Sequence, residues 1–213
     1  TRIRAIDDTL STSFPAFAAL QKPSALSLVA ARELLAEDEV LLFFADTTQL
    51  GEEGFETYLW AVPKRGEVRW VRLEPPTGEL SAAVHALRRS MGVGPQARGA
   101  QAIGGAKQGD DRTAKVLDVA GALYRATLAP VADMLEGKRL VVVPSKKLAP
   151  LPFHLLVSSP PPEGSTDRYR DAGWLARDHA IVVLPSVSAL AAVAAPAAAP
   201  AARGAYLGFA NPV

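Results

Sequence analysis

The chain has 213 residues, 49% of them apolar and 21% charged, with 23 basic and 22 acidic side chains and no cysteine. A chain of this length can bury roughly 70% of its unfolded surface, enough for one large domain or a domain with a lead-in. The net charge of +1 gives no footprint for nucleic acid or a membrane surface, and the missing cysteine excludes disulfides, thiolate zinc sites and a cysteine nucleophile within this sequence.

Residues 1–36 read as a helical lead-in. Apolar residues recur there at spacings of three and four, interrupted by Pro15 and Pro23. Ser24 or Ser27 is placed to cap a helix over 28–35. From Glu39 the texture changes to three short aliphatic and aromatic runs, VLLFFA, TYLWAVP and EVRWVRLE. PKRGE between the last two marks a hairpin, with Gly66 free to take positive φ, so 40–73 reads as an antiparallel meander. In the third run Trp70 falls on one face and Arg69 and Val71 on the other; both faces are mixed, which predicts a partly covered strand.

Thr77 is placed to cap a helix ending near Met91, although Glu79 stands two residues on, short of a capping box. Residues 93–112 are glycine-rich, almost free of bulky apolar side chains, and are expected to form a mobile loop. An amphipathic helix follows over 113–135, with Val116, Ala120, Leu123, Tyr124, Leu128 and Val131 on its apolar stripe. Pro130 should break or kink it and Gly137 should end it. Residues 139–143 read as a strand buried on both faces. Residues 158–173 read as a second mobile loop, 179–184 as a strand, and 186–195 as a helix capped by Ser186. An alanine–proline linker with Pro196 and Pro200 leads to a strand over 205–209. No apolar stretch of about 18 residues is present, so no membrane span is expected. No h-region of a secretory signal is visible at the start, and a cytoplasmic location is the expectation.

Two strands end alike, VVVPS and VVLPS, which raises the question of a nucleophilic Ser145 or Ser186. Neither serine has the flanking glycines of a nucleophile elbow. Ser186 reads as a helix cap and Ser145 as a turn residue; a Ser145–His154 hydrolase pair is the weakest of the functional readings. His154, in an apolar turn, reads as a satisfied buried polar group, His85 as a partly exposed helical residue, and His179 as the opening of a strand. None of the histidines has H-x₃-H or H-E-x-x-H spacing, so no metal site is assigned. Gly104 and Gly109 stand at phosphate-loop spacing, but Asp110 and Asp111 take the places of lysine and serine or threonine and would repel a phosphate. The residues themselves therefore give an α/β scaffold with no catalytic, cofactor-binding or metal-ligating residue, and no cofactor is expected.

The order of motifs in the second half is more specific. It runs ALYRATLAPVADMLEGKRLVVVPSKKLAPLPFHLLV, then WLARDHAIVVLPSVSAL, then YLGFANPV. This order resembles the CHAT domain, a caspase-like peptidase domain often appended to tetratricopeptide repeats in bacteria and distantly similar to separase. The residues carrying the resemblance include Leu123, Tyr124, Leu128 and Pro130, then Pro144, Leu148, Leu151, Pro152, Phe153 and Leu156. They continue with Leu175, Leu184, Pro185, Ser186 and Leu190, and close with Gly208, Asn211 and Pro212. The first hundred residues fit the usual lead-in to such a domain less sharply.

The resemblance implies an α/β fold, a caspase-like mixed sheet flanked by helices and preceded by the short antiparallel meander and the helical lead-in. Residues 37–195 would be a pseudo-caspase-like half, and 203–213 the first strand of a catalytic half. The family's chemistry is a histidine–cysteine dyad. By the resemblance both members follow strands downstream of the Asn211-Pro212 segment, so none carries over to a residue of this sequence. The implied role is the non-catalytic N-terminal part of a cysteine peptidase, inactive alone. Its implied partners are the rest of the same protein or a partner chain, a tetratricopeptide region and a protein substrate. The alternative is a standalone pseudo-protease that binds a partner protein.

Overall fold

A computed structural model describes residues 25–47, 55–92 and 106–194, with residues 6, 9, 12 and 13. The first continuous element is helix α1, Leu28–Leu34. Ser27 caps it, its hydroxyl accepting the Ala30 N–H at 3.1 Å, and the Lys64 ammonium donates to the Leu35 carbonyl just past its end.

Strand β1, Glu39–Asp46, alternates as its sequence demands. Val40, Leu42 and Phe44 enter one core, whereas Leu41 and Phe43 enter the other. Strand β2, Thr57–Pro63, pairs antiparallel with it, placing Trp60 opposite Phe43. Strand β3, Arg69–Arg72, pairs antiparallel with β2 after a turn in which Gly66 sits at φ +94°, a conformation costly for any residue with a Cβ. The meander is therefore as the sequence implies, but it is not a separate layer. Strand β4, Arg139–Val143, pairs parallel with the free side of β1, and a further strand, Ile181–Val183 (β7), pairs parallel with β4. The result is one mixed five-stranded sheet in the order β3-β2-β1-β4-β7.

Helix α2, Thr77–Ser90, and helix α3, Ala106–Thr127, cover the first face of this sheet. The expected stripe of α3 is buried or half-buried at every position. The helix starts seven residues before the predicted 113. Its first turns lack bulky apolar residues, so periodicity is silent there, but extending an existing helix costs far less than nucleating one. After α3, Pro130 opens a 3₁₀ segment, Ala129–Met134, and Gly137 at φ +66° ends the run. The Arg139 guanidinium pairs with Asp38 and Glu39, pinning the starts of β4 and β1 together, and holds the Asp38 carboxyl below its ordinary range.

Three local expectations are corrected. Thr77 does not cap α2: Pro76 holds the cap position without a side-chain bond. The Thr77 hydroxyl lies instead 2.9 Å from that of Thr57, which donates to Asp46 at 2.9 Å. Ser186 does not cap a helix either. Its hydroxyl lies 3.2 Å from that of Ser188, and the helix α6, Ala189–Ala194, begins after this turn. Residues 158–173 are mostly exposed, as expected, but folded. Strand β5, Val157–Ser159, pairs antiparallel with β6, Gly173–Trp174, and a helical turn α4, Arg168–Asp171, lies between them. The Trp174 indole donates to the Tyr169 carbonyl at 2.7 Å, and the two rings lie 4.7 Å apart. Strands of two and three residues leave no period to read. A short helix α5, Leu175–Asp178, leads into β7. Residues 93–105 and the predicted strand 205–209 lie outside the described residues.

The first-face core joins α2 and α3 to β1, β2, β4 and the segment from Leu148 to Leu175. The second-face core is smaller, with α1 and α6 on Leu41, Val62, Val141 and Val143. Inside the first lies the polar chain Thr77–Thr57–Asp46, both threonines buried. Because Thr57 donates to Asp46, Thr77 must donate to Thr57. Thr57→Val keeps the volume but strands the Thr77 donor, and is expected to cost about 1–3 kcal/mol. Chemical denaturation measures this loss, and Thr57→Ser should recover most of it.

Candidate functional site

In open α/β sheets, binding and chemistry collect at the carboxyl ends of the parallel strands. Here those ends are Asp46 as the last residue of β1, Pro144 and Ser145 after β4, and Leu184 to Ser186 after β7. Asp46 links three segments: one carboxylate oxygen accepts from the Thr57 hydroxyl, and the other accepts the Lys147 backbone N–H at 3.3 Å. No motif in the sequence signals that role.

Ser145 is buried, 5% exposed. Its carbonyl accepts the Leu148 and Ala149 N–H groups at 3.1 and 2.8 Å, and its hydroxyl accepts from the Leu148 N–H at a long 3.4 Å. That is the geometry of a tight turn, as the sequence implies. His154 is exposed, which corrects the expectation of a buried histidine. It is the middle residue of a 3₁₀ turn, Phe153–Leu155. With three residues per turn, Phe153 and Leu156 share the inner side and His154 faces water. No hydrogen bond joins it to Ser145 among the described residues.

The other histidines lie elsewhere. His85 is exposed on α2. His179 precedes β7 and its Nδ1 donates to the Lys138 carbonyl at 2.8 Å, next to the amino end of β4. It therefore sits at the end of the sheet opposite Ser145. Among the described residues no group of three or more histidine, aspartate or glutamate side chains converges as a metal site. Gly109, Asp110 and Asp111 lie within helix α3 instead of a loop, which removes the phosphate-loop geometry; Gly104 lies outside the described residues. Among the described residues, no helix is long and apolar enough to cross a membrane.

The candidate residues are thus dispersed: one buried serine in a turn, one exposed histidine nine positions on in sequence, and one histidine at the amino end of β4. Such an arrangement has no nucleophile–base pair and no oriented base. What the site does offer is a strand-end rim beside a sheet edge that is unpaired among the described residues. Strand β7 pairs on one side only among the described residues, and Val182 and Val183 are 45% and 52% exposed.

Comparison with known proteins gives one family. Residues 117–213 match the family model of the CHAT domain, so this part of the chain is similar in sequence to that family. The matched stretch includes β4, the Phe153 corner and β7. No curated protein matches the chain.

Proposed function

We propose, from the likeness of residues 117–213 to the CHAT domain, that this chain is a non-catalytic portion of a CHAT-type cysteine peptidase. The observation that carries this reading is that a chain with this likeness contains no cysteine, while its three histidines lie on separate elements, helix α2, the 3₁₀ turn Phe153–Leu155 and the residue before β7. In the parent reaction a cysteine thiolate attacks the peptide carbonyl carbon. A histidine takes the thiol proton and later protonates the leaving amine. Both groups come from sequence beyond this chain.

The part played by this chain is mechanical. The Asp46–Thr57–Thr77 chain and the Asp46–Lys147 contact fix the strand ends. The outer edge of β7, unpaired among the described residues and carrying exposed valines, offers backbone and apolar surface to the rest of the protein or to a partner chain. Substrate or regulator contacts run along the same rim.

Assay of the purified chain against a peptide panel is expected to show no turnover, and a fluorophosphonate probe is expected to leave Ser145 unlabelled. Turnover that disappears on Ser145→Ala or His154→Ala would overturn the proposal.

A further inference from the structure

We infer that the second face of the meander is a docking surface for a proline-rich segment of a partner protein, one that carries a basic residue beside its prolines. Strand register gathers four aromatic side chains there. Phe43 of β1 stands opposite Trp60 of β2, and Trp60 stands opposite Trp70 of β3. Tyr58, two positions from Trp60 on β2, shares that face. Neighbouring rings lie 5.6 Å apart for Phe43 and Trp60, 5.9 Å for Tyr58 and Trp60, and 6.0 Å for Tyr58 and Trp70. Trp70 is 62% exposed and the other three are half-buried, so the row is surface.

Hydrogen-bonding groups on and around the row select the ligand. The Tyr58 hydroxyl donates to one Glu56 oxygen at 2.7 Å, and Arg72 donates to the other at 2.9 Å. That leaves the two indole N–H groups of Trp60 and Trp70, neither of which has a partner among the described residues. Such rings suit a ligand that is apolar and accepts hydrogen bonds without donating them. A run of prolines has that character: each residue offers a ring and a carbonyl and has no N–H. In the polyproline II form those carbonyls make no internal bonds. The form is also ordered before binding, so an open face with few contacts can hold it. Charge supplies the remainder. Arg72 is shared by Glu56 and Glu74, at 2.9 and 3.0 Å, and two carboxylates against one guanidinium leave one net negative charge. Only one Glu74 oxygen is engaged, with Arg72, so the other can accept from a lysine or arginine of the partner. The same negative charge repels the phosphates of a single-stranded nucleic acid, which aromatic rows can otherwise stack. These residues lie outside the 117–213 match, so the inference is independent of the peptidase reading.

The probe is an acetylated peptide of about nine prolines ending in lysine amide, titrated into the full chain and followed by tryptophan emission. The change is expected to saturate below about 1 mM peptide. Trp70→Ala is expected to weaken binding about 10-fold or more, and Trp70→Phe, which keeps a ring but loses the donor, by less. Glu74→Gln is expected to weaken it about 2- to 4-fold and to leave unchanged the affinity for the same peptide ending in glutamine amide. Circular dichroism checks that each variant is folded. No saturable change by about 1 mM, or equal affinities for the unaltered chain and Trp70→Ala, would overturn the proposal. Binding of cellohexaose or of oligo(dT) in place of the peptide would replace it with a sugar or nucleic-acid site. A dimer in sedimentation that Trp70→Ala converts to monomer would overturn it in favour of a second copy.

Discussion

Phe153→Ala is expected to lower the free energy of unfolding by about 3–5 kcal/mol, the usual range for emptying a buried phenylalanine site. The ring is 1% exposed and stands 5.6 Å from that of Phe44, the two planes inclined by 41°. Phe44 lies on β1, so this contact ties the corner after β4 to the middle of the sheet. The corner is held by backbone bonds on both sides, with the Leu151 N–H donating to Leu148 and the Leu156 N–H to Phe153. Collapse to fill the cavity is therefore restricted, which favours the upper half of the range. Ser145→Ala, eight residues earlier in the same corner, removes only the long 3.4 Å contact to Leu148 and should cost less than about 1 kcal/mol. Urea denaturation of the two variants side by side gives the comparison. Equal, small effects would mean that the corner is not packed as described.

Val142→Ala and Val183→Ala form the second comparison. The two residues are direct neighbours across the β4–β7 ladder and sit in near-identical sequence, VVVPS and VVLPS. Val142 is fully buried whereas Val183 is 52% exposed. Removing two buried methyl groups from β4 is expected to cost about 2–3 kcal/mol, transfer and cavity together. The same truncation on β7 should stay within about 0.5 kcal/mol. Matching losses in the denaturation midpoints would show that the β7 valine is covered in solution by another part of the protein or by a second molecule. That outcome would also bear on the proposed role of the edge.

The two valines show where sequence reading reaches its limit. The three apolar runs of the meander, the hairpin at Gly66, the stripe of α3, the break at Pro130 and the stop at Gly137 were all legible, because each depends on residues within a turn or two of one another. The family resemblance was legible for a related reason: the ordered proline corners and apolar stripes lie in continuous segments, and residues 117–213 match the CHAT domain. The shared position of β1 between the meander and the parallel strands was not legible, since it depends on Leu42 facing both Ala61 and Val142. Nor was the exposure of His154. An apolar neighbourhood in sequence says nothing about which side of a three-residue turn faces water.

Thr77 makes the same point for polar groups. Its position before a helix satisfies the local rule for a cap, yet its hydroxyl goes to Thr57, twenty positions away in sequence. Local chemistry offered two partners, and packing of α2 against β2 chose between them. By itself the sequence determined most of the longer elements and their bounds, the absence of a thiol nucleophile and the likeness of residues 117–213 to the CHAT domain. Tertiary structure alone decided which strand is central and which is an edge, and which serine and histidine could meet. Those outcomes depend on pairings between residues tens of positions apart, and no local period records such pairings.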